Sequence, residues 1–421
     1  MTTENLEQFN ADELEAPEWL NAKFIGEILS TCEGAPELKV TDLKISPASA
    51  QGDHYASIMF RSLVEYTTRK GVFTKPLIIK TMPEQEGHKK DMLSESHFFE
   101  TEIGMYTKAL PEFERILKQA GDDTKLYVPC IYHSLEPRQV MIFEDLVPQG
   151  YTVIRDRPVR EEELCRAYSK LAKWHAISMK LLNEQPDFLK EFQYGWTEVP
   201  ALMNDPFMTT AMPPFIKMLE RWPELRKYKP HFEKIKDTYL DMVKTVLQEY
   251  RTNPQPDGYY VLCHGDFHLR NMMFRHNKET GDSEDVMLVD FQLCNTGPIA
   301  VDLIYSIHML MEPEQRWTHG EKLINYYFSV LVDTLKKVGY KGAMPTQEKL
   351  WQQIHKLKYY DLFNMFTFLP LILGIKTNSF TMNGLLQDAE TRQKTYYQDV
   401  YVKDIMKLLP KYEQIGYFKD L

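Results

Sequence analysis

The sequence has few of the features that mark secreted, membrane or zinc-binding proteins. Its five cysteines are scattered along 421 residues without metal-binding spacing, as is typical of reduced thiols in the cytosol. The N-terminus is acidic and contains no apolar core segment, so we expect no signal peptide and a cytoplasmic protein. The longest apolar stretch, residues 362–375, is interrupted by Asn364, Thr367 and Pro370. We expect it to form a buried pair of helices rather than a membrane span.

The chain also has no excess of positive charge. It contains 50 lysines and arginines against 60 aspartates and glutamates, which gives a net charge of −10. This balance argues against nucleic acid or an anionic membrane as a main partner. The hydrophobic share of 43% and the length fit a folded protein that has two substantial cores.

The informative feature is a polar cluster in the run CHGDFHLRN, residues 263–271, followed by LVDFQ, residues 288–292. Asp266, Asn271 and Asp290 have the spacing of a protein-kinase-like catalytic loop and its metal site, which predicts phosphoryl transfer from a nucleotide. Apolar segments beside them predict strands, so the three polar side chains would lie at strand ends and could converge. These segments are residues 259–263, 272–274 and 286–289.

Each polar residue of this cluster has a predicted role. Phosphoryl transfer depends on positioning and charge neutralisation, so Asp266 would orient the acceptor hydroxyl and take its proton. Asn271 and Asp290 would hold Mg²⁺ against the phosphates, since Mg²⁺ prefers a few hard oxygen ligands. His264 would brace the loop through hydrogen bonds.

A metal hydrolase is the alternative for the same segment. His264 and His268 are four residues apart, and on a helix both rings could bind Zn²⁺. However, Gly265 and the preceding strand argue against a helix at this point.

The upstream half contains a matching pair of charged residues. Residues 76–82 form an apolar strand that includes Lys80, and a buried lysine is costly unless it is paired. Residues 98–106 have the spacing of an amphipathic helix. We predict that Lys80 contacts the α- and β-phosphates and pairs with Glu102, with Glu100 as the competing partner.

Two further segments are predicted to bind the nucleotide. Residues 49–57 would cover the phosphates, although they contain one glycine, Gly52, with Ser57 as a possible donor. Residues 144–151 follow a strand and suit a hinge whose backbone groups bind the adenine edge. Glu144 and Leu146 are the predicted binding residues of this hinge. A plain linker is the alternative. Residues 161–182 form a long helix, in which His175 is expected to be a core histidine.

Together these residues resemble the ecdysteroid kinase-like (CHK kinase-like) family of arthropods. These proteins are relatives of the choline kinases and aminoglycoside phosphotransferases. The points of match are residues 52–57, Lys80, Glu102, 144–146, 174–176, 264–266, Asn271, 290–292 and 302–303, with 17–20 at the family's usual start.

The resemblance implies an α+β, bilobed protein-kinase-like fold with an N-terminal antiparallel-sheet lobe and a larger, mainly helical C-terminal lobe. Residues 1–143 would form the first lobe, with 1–15 frayed and a helix starting at Pro17. Residues 144–151 would be the hinge and 152–421 the second lobe. The resemblance also implies that Asp302 supports the catalytic loop; a carboxylate at a helix N-terminus is the plainer reading.

By resemblance, the activity is ATP- and Mg²⁺-dependent phosphorylation of a hydroxyl on a small molecule, with ecdysteroids the best-known substrates. His268 departs from the family, which often carries Trp near this position. An apolar segment in the second lobe could receive a sterol-like acceptor, cage a quaternary ammonium, or simply pack in the core. Its members are Tyr194, Trp196, Met203, Phe207, Met208 and Met212.

A catalytically weak protein that binds a nucleotide or a hydrophobic ligand is the second alternative. The complete polar set argues against it, because a pure binder does not need all of its members. These are Lys80, Glu102, Asp266, Asn271 and Asp290. The oligomeric state and the identity of the acceptor do not follow from the sequence.

Overall fold

The computed structural model describes residues 15–48, 57–84, 90, 93–155, 157–377, 379–380, 384–385 and 388–419. The chain divides into two compact units. The sheet unit comprises Met1–Leu110 and Tyr127–Thr152, and the helical unit comprises Pro111–Leu126 and Val153–Leu421. The lobe and hinge boundaries drawn from the sequence stay a prediction, and the residues expected to be frayed lie, except Glu15, outside the described residues.

The sheet unit is built on a five-stranded antiparallel sheet in the order β1-β2-β3-β5-β4. The central pair, β2 and β3, is held in register over its whole length, with Met59 opposite Lys80. The strands are β1 (Lys39–Pro47), β2 (Ile58–Thr68), β3 (Gly71–Thr81), β4 (Cys130–Ser134) and β5 (Val140–Glu144), and a short β6 (Tyr151–Thr152) follows.

Alternating apolar residues give this sheet one buried face. Along β2 the side chains of Ile58, Phe60 and Val64 are buried and their neighbours are more exposed, as the period of a strand requires. Helix α1 (Ala22–Cys32) covers this face with Ile25 and Leu29.

The start of α1 differs from the predicted start at Pro17. The helix begins at Ala22 because the side chain of Asn21 accepts hydrogen bonds from the N–H groups of Lys23 and Phe24, each at 3.1 Å. Pro17 instead lies in a turn closed by the Leu20 N–H.

The predicted helix at residues 98–106 is present and longer than expected. Helix α2 (Phe98–Gly104) continues as a π-helical turn (Met105–Ala109) and then as α3 (Leu110–Gln119). Phe98, Phe99 and Tyr106 are buried, so the predicted apolar stripe is the packed side.

The helical unit is arranged around α4 (Glu161–Glu184), whose central turns are buried. The other helices are α5 (Pro200–Met203), α6 (Pro206–Thr209), α7 (Met212–Arg221), α8 (Lys229–Ile235), α9 (Tyr239–Leu247), α10 (Glu249–Thr252), α11 (Ala300–Met309), α12 (Pro313–Thr318), α13 (Gly320–Lys337), α14 (Gln347–Lys356), α15 (Lys358–Phe366), α16 (Phe368–Lys376), α17 (Ala389–Thr395) and α18 (Asp399–Gln414).

Four short strands interrupt these helices and carry the predicted polar cluster. They are β7 (Tyr260–Cys263), β8 (Met272–His276), β9 (Ser283–Leu288) and β10 (Asn295–Pro298). The strands β8 and β9 pair as a hairpin, and β7 pairs with β10. Residues 295–298 therefore form a strand edge for β7.

These elements confirm the predicted fold class, an α+β fold with an N-terminal antiparallel sheet and a larger, mainly helical C-terminal part. The apolar stretch at residues 362–375 forms the expected pair of buried helices, α15 and α16. Across the described residues, no helix combines the length and apolar character needed to cross a membrane.

Candidate active site

The loop after β7 requires glycine at residue 265. Gly265 has φ +79°, a conformation that costs other residues energy. A Cβ atom at this position would also lie 2.3 Å from the main-chain oxygen of Leu293. The HGD turn is therefore packed directly against the segment that follows Asp290.

A buried carboxylate holds this turn from α11. Asp302 accepts hydrogen bonds from the main-chain N–H groups of His264 at 2.6 Å and Gly265 at 2.9 Å. Its Oδ2 also lies 3.0 Å from Nε2 of His175. Burial by itself raises the pKa of the Asp302 carboxyl, but these donors hold it below its usual value. Asp302 thus supports the loop, as the resemblance implies.

The long helix α4 supplies the remaining support. His175 is fully buried and its second ring nitrogen lies 2.6 Å from the hydroxyl of Tyr327, which confirms it as a satisfied core histidine. One residue earlier, Trp174 donates from its indole nitrogen to the carbonyl of Leu262 at 2.7 Å. Trp174 therefore anchors β7, and His175 anchors the Asp302 carboxylate.

His264 does not brace the loop in the predicted way. Its ring is fully buried, and neither ring nitrogen has a hydrogen-bond partner in the part of the chain that the structure describes. The ring packs against Trp174, Phe267 and Phe291, at centroid distances of 5.8, 5.9 and 5.5 Å. Burial lowers the pKa of the imidazole, so the ring is neutral. His264 contributes its main-chain N–H and its aromatic packing instead of side-chain hydrogen bonds.

The carboxylate of Asp266 receives three side-chain donors. The hydroxyl of Tyr305 donates to Oδ1 at 2.6 Å, and Nδ2 of Asn271 donates to Oδ2 at 2.9 Å. Nε2 of His268 lies 3.3 Å from Oδ1. Burial acts to raise the pKa of this carboxyl, but His268 and Tyr305 outweigh it and lower the pKa to about 2. Asp266 is therefore ionised at neutral pH, as a proton acceptor must be.

The orientation of Asn271 fits the predicted metal role. Its Nδ2 is held by Asp266 at both the carbonyl oxygen, 3.1 Å, and the carboxylate. The amide oxygen is then directed away from Asp266, where it can accept a cation. The main chain links this residue to the third member of the set, because the N–H of Val289 donates to the Asn271 carbonyl at 3.1 Å.

Asp290 follows Val289 with φ +65°, and it is the one described residue other than glycine with a positive φ. Such a conformation costs on the order of 1–3 kcal/mol and is most often tolerated at functional sites. The carboxylate of Asp290 and the amide oxygen of Asn271, on segments joined by the Val289–Asn271 hydrogen bond, are a suitable donor set for Mg²⁺, which takes its other ligands from water and phosphate.

The structure does not support the zinc alternative. The ring of His264 is enclosed by aromatic side chains. That of His268 is engaged at both nitrogens, with the Arg270 N–H on Nδ1 at 3.1 Å. Among the described residues, no group of three or more His, Cys, Asp or Glu side chains is placed to hold a metal ion.

In the sheet unit, the predicted contact of Lys80 with Glu102 is present. The Lys80 Nζ lies 2.5 Å from Oε2 of Glu102, and the two side chains are 4% and 2% exposed. Glu100 is exposed, so the competing partner is set aside. A buried ion pair of this kind is costly to maintain for stability alone. Its role in nucleotide binding stays a prediction.

The expected adenine hinge is anchored by Asp145, a residue of the 144–146 match to which the sequence assigned no role of its own. Asp145 is buried, lies 2.5 Å from Nε of Arg61, and accepts the N–H of Val147 at 3.0 Å. Beside it, Leu146 is buried and Glu144 is partly exposed, 3.6 Å from Nζ of Lys75.

The phosphate-covering loop is described only at its end. Ser57 is buried immediately before β2. Gly52 lies outside the described residues.

The comparison with known families decides the identification. The model of the ecdysteroid kinase-like family matches residues 51–340, more than two thirds of the chain. The chain belongs to the ecdysteroid kinase-like family. This confirms the predicted family, and membership supports a small-molecule kinase.

Two further comparisons add little to the family assignment. A search of curated proteins gives no match. A solved structure, described as amicoumacin kinase hAmiN in complex with AMP-PNP, Ca²⁺ and Ami, aligns over 97% of this chain and 98% of its own. The identity is 12% and the TM-score 0.41.

The predicted acceptor segment of this ecdysteroid kinase-like protein is mostly core. Trp196 is stacked on Phe363 with centroids 5.4 Å apart, and Met208 and Met212 are buried. Phe207 lines an open cavity of about 320 Å³ in the helical unit, next to α7 and α17. Ordinary packing thus accounts for most of the segment.

Sequence reasoning missed Tyr305 as part of the site of this family member. Tyr305 lies three residues after Asp302, and this spacing places both on one side of α11. Because Asp302 was expected to support the loop, the same helical face could have been searched for a second contact.

Proposed function

We propose that this protein is an ATP- and Mg²⁺-dependent kinase that phosphorylates a hydroxyl group of a small molecule in the cytosol. The observation that carries the proposal is the ionised carboxylate of Asp266, held beside the amide of Asn271 on a glycine-dependent turn. Membership of the ecdysteroid kinase-like family supports the same reaction.

Asp266 acts as the general base. It accepts the proton of the acceptor hydroxyl while that oxygen forms a bond to the γ-phosphorus. The bond from the γ-phosphorus to the β–γ bridging oxygen breaks, and the products are a phosphate ester and ADP. Positioning of the hydroxyl is the main contribution of the carboxylate, since phosphoryl transfer requires little covalent chemistry from the protein.

Asn271 and Asp290 would hold Mg²⁺, since an amide oxygen and a carboxylate are ligands that it prefers. When bound, Mg²⁺ neutralises charge on the phosphates. Lys80 binds the α- and β-phosphates, and Glu102 keeps its ammonium group in place. Ser57 contributes to phosphate binding, and the main chain at Glu144 and Leu146 binds the adenine.

The acceptor is a hydroxylated compound of the sterol class, with ecdysteroids as the first candidates. The family supports this choice. The open cavity beside α7, lined by Phe207, Leu371 and Tyr396 among others, offers apolar surface for such a ligand.

The test is an assay of nucleotide-dependent phosphate transfer to a panel of hydroxylated sterols, read as a mass increase of one phosphate. Wild-type protein with ATP and Mg²⁺ should modify at least one member. Asp266→Asn should lower kcat by about 10²–10⁴-fold. It should leave ATP affinity nearly unchanged, because the base does not contact the nucleotide.

Asp282→Asn is the matched control, since Asp282 is an exposed residue of the β8–β9 turn. Equal activity of Asp266→Asn and wild type would overturn the assignment of the base. For the metal, Asp290→Ala should lose the Mg²⁺-dependent part of nucleotide affinity. An unchanged calorimetric titration with ATP at saturating Mg²⁺ would contradict that role.

A further inference from the structure

The three donors around Asp266 are distributed unequally between its two oxygens. Oδ1 has two of them, the hydroxyl of Tyr305 at 2.6 Å and Nε2 of His268 at 3.3 Å. Oδ2 has one, Nδ2 of Asn271 at 2.9 Å.

This distribution distinguishes the two oxygens chemically. A carboxylate oxygen can accept about two hydrogen bonds in its plane. Tyr305 donates to Oδ1 of Asp266 and Nε2 of His268 lies 3.3 Å from the same oxygen, whereas Asn271 alone donates to Oδ2. Within the described part of the chain, the remaining position of this carboxylate is therefore on Oδ2.

The hydrogen positions agree with this arrangement. Nδ1 of His268 accepts the main-chain N–H of Arg270 at 3.1 Å, so the N–H group of the ring that faces Asp266 is the one at Nε2. The hydroxyl of Tyr305 is buried, and burial beside a carboxylate raises its pKa well above the usual value, so it stays a donor.

The donor groups are themselves held in place. The ring of Tyr305 packs edge-on against Phe368 at 5.7 Å and lies 6.4 Å from the ring of His268. A fixed ring keeps a short hydrogen bond in one direction. The carboxylate is thereby restrained from rotating, which is the property that a positioned base needs.

We propose that Tyr305 and His268 are positioning residues that bind Oδ1 of Asp266 and so make Oδ2 the atom that receives the proton of the acceptor hydroxyl. This inference rests on the proposed kinase function. The acceptor then approaches from the side of Asn271, and the tyrosine and histidine rings close the opposite side of the carboxylate. His268 takes this part at the position where the family often carries tryptophan.

The first test is kinetic and uses Tyr305→Phe, which keeps the ring and removes the hydroxyl. The variant should have a kcat about 10–100-fold lower than wild type, because the Asp266 carboxylate can then rotate. The affinity for ATP should stay within twofold of wild type, and KM for the acceptor should change less than kcat. Such a split is not expected from general destabilisation.

The matched control is Tyr412→Phe, which removes a tyrosine hydroxyl from another buried carboxylate, Asp361, at the same distance of 2.6 Å. For the second donor, His268→Ala should lower kcat, and His268→Gln should restore part of it, because the glutamine amide can replace the Nε2 donor. Wild-type kcat in Tyr305→Phe, or an equal loss in Tyr412→Phe, would overturn the proposal.

The second test does not depend on activity. High-resolution crystal structures of wild type and of the double variant Tyr305→Phe/His268→Ala should show a rotated Asp266 carboxylate in the double variant alone. An unchanged orientation would refute the positioning role. If wild type transfers no phosphate to any acceptor, the kinase function fails, while this structural comparison still decides whether the two residues orient the carboxylate.

Discussion

Helix α11 (Ala300–Met309) contacts two buried polar centres that use the same kinds of side chain. Through Tyr305 it donates to Asp266 at 2.6 Å. Through His308, three residues later, it contacts Asp361 at the same distance, 2.6 Å. Each carboxylate is thus held by a hydroxyl of tyrosine and a ring nitrogen of histidine, and neither has an arginine or lysine partner among the described contacts.

The two centres differ in what surrounds the carboxylate. The side chain of Asp361 is 10% exposed, and its further donors are the hydroxyls of Tyr412 and Tyr417, at 2.6 and 2.8 Å. These donors fasten the last helix and the segment after it to the helical unit. The side chain of Asp266 is 19% exposed and lies on a turn beside Asn271. Binding by tyrosine and histidine therefore does not by itself indicate a catalytic carboxylate. The features that distinguish Asp266 are its partial exposure and the turn on which it lies.

The largest combined effect on stability and activity is expected from Asp302→Asn, which removes the support shared by the loop and α11. Asp302 accepts hydrogen bonds from two main-chain N–H groups, one at each carboxylate oxygen. An asparagine has a single acceptor oxygen, and its NH₂ group would face the second main-chain N–H, donor against donor. Breaking such a buried group costs about 3–5 kcal/mol. Urea unfolding should show this loss, and kcat/KM should fall by roughly 10²-fold because the turn moves.

One result for Asp302→Asn would contradict this dependence of the loop on α11. If the variant lost stability but kept wild-type kcat at temperatures where it is folded, the loop would not depend on α11 for its geometry. Asp404→Asn is the matched control, because Asp404 is equally buried and pairs with Arg316 at 2.8 Å away from the loop. It should lower stability and leave kcat unchanged.

Much of the site was predictable because it depends on local rules. A lysine inside an apolar strand needs a partner, and an amphipathic helix offered Glu102 on its packed side, which is where the contact is found. The HGD turn was predictable from Gly265, since few other residues allow a reversal directly after a strand.

The remainder depends on packing between distant parts of the chain. Tyr305 is 39 residues from Asp266 in sequence, and the docking of α11 brings it into contact. The aromatic packing of His264 likewise depends on where α4 places Trp174. Sequence periodicity specifies which face of a helix is buried but not which side chain of that face touches a given carboxylate.

A smaller effect, confined to stability, is expected from Asp361→Asn. The substitution weakens three hydrogen bonds to a buried carboxylate and should cost about 2–3 kcal/mol in unfolding free energy. The kcat of the folded variant should stay within about twofold of wild type. Asp266→Asn should differ from it by a large loss of kcat. A loss of kcat in Asp361→Asn would mean that the two centres on α11 are coupled.

The smallest expected change in stability concerns a third buried carboxylate, that of Glu163. Its partners include arginine side chains, whereas those of Asp266 and Asp361 include tyrosine hydroxyls. Its oxygens contact Arg157 at 2.5 Å, the main-chain N–H of Arg160 at 2.7 Å and His276 at 2.7 Å. Burial acts to raise the pKa of Glu163, but these donors lower it to about 2. Because this pKa lies below the unfolded value of about 4.3, the ionised form stabilises the fold above that pH, and the stabilisation is lost as the pH falls towards 2.

Glu163→Gln should therefore lower the unfolding free energy at pH 6 by about 1–2 kcal/mol, since Arg157 and Arg160 are 40% and 41% exposed and screened by water. The difference from wild type should shrink as the pH is lowered from 5 to 3, which thermal or urea unfolding at each pH would measure. Glu162→Gln, on the same turn but 46% exposed, should show no such trend. If the difference were independent of pH, the charge of Glu163 would not matter, and arginine-bound and tyrosine-bound carboxylates would stabilise this fold in the same way.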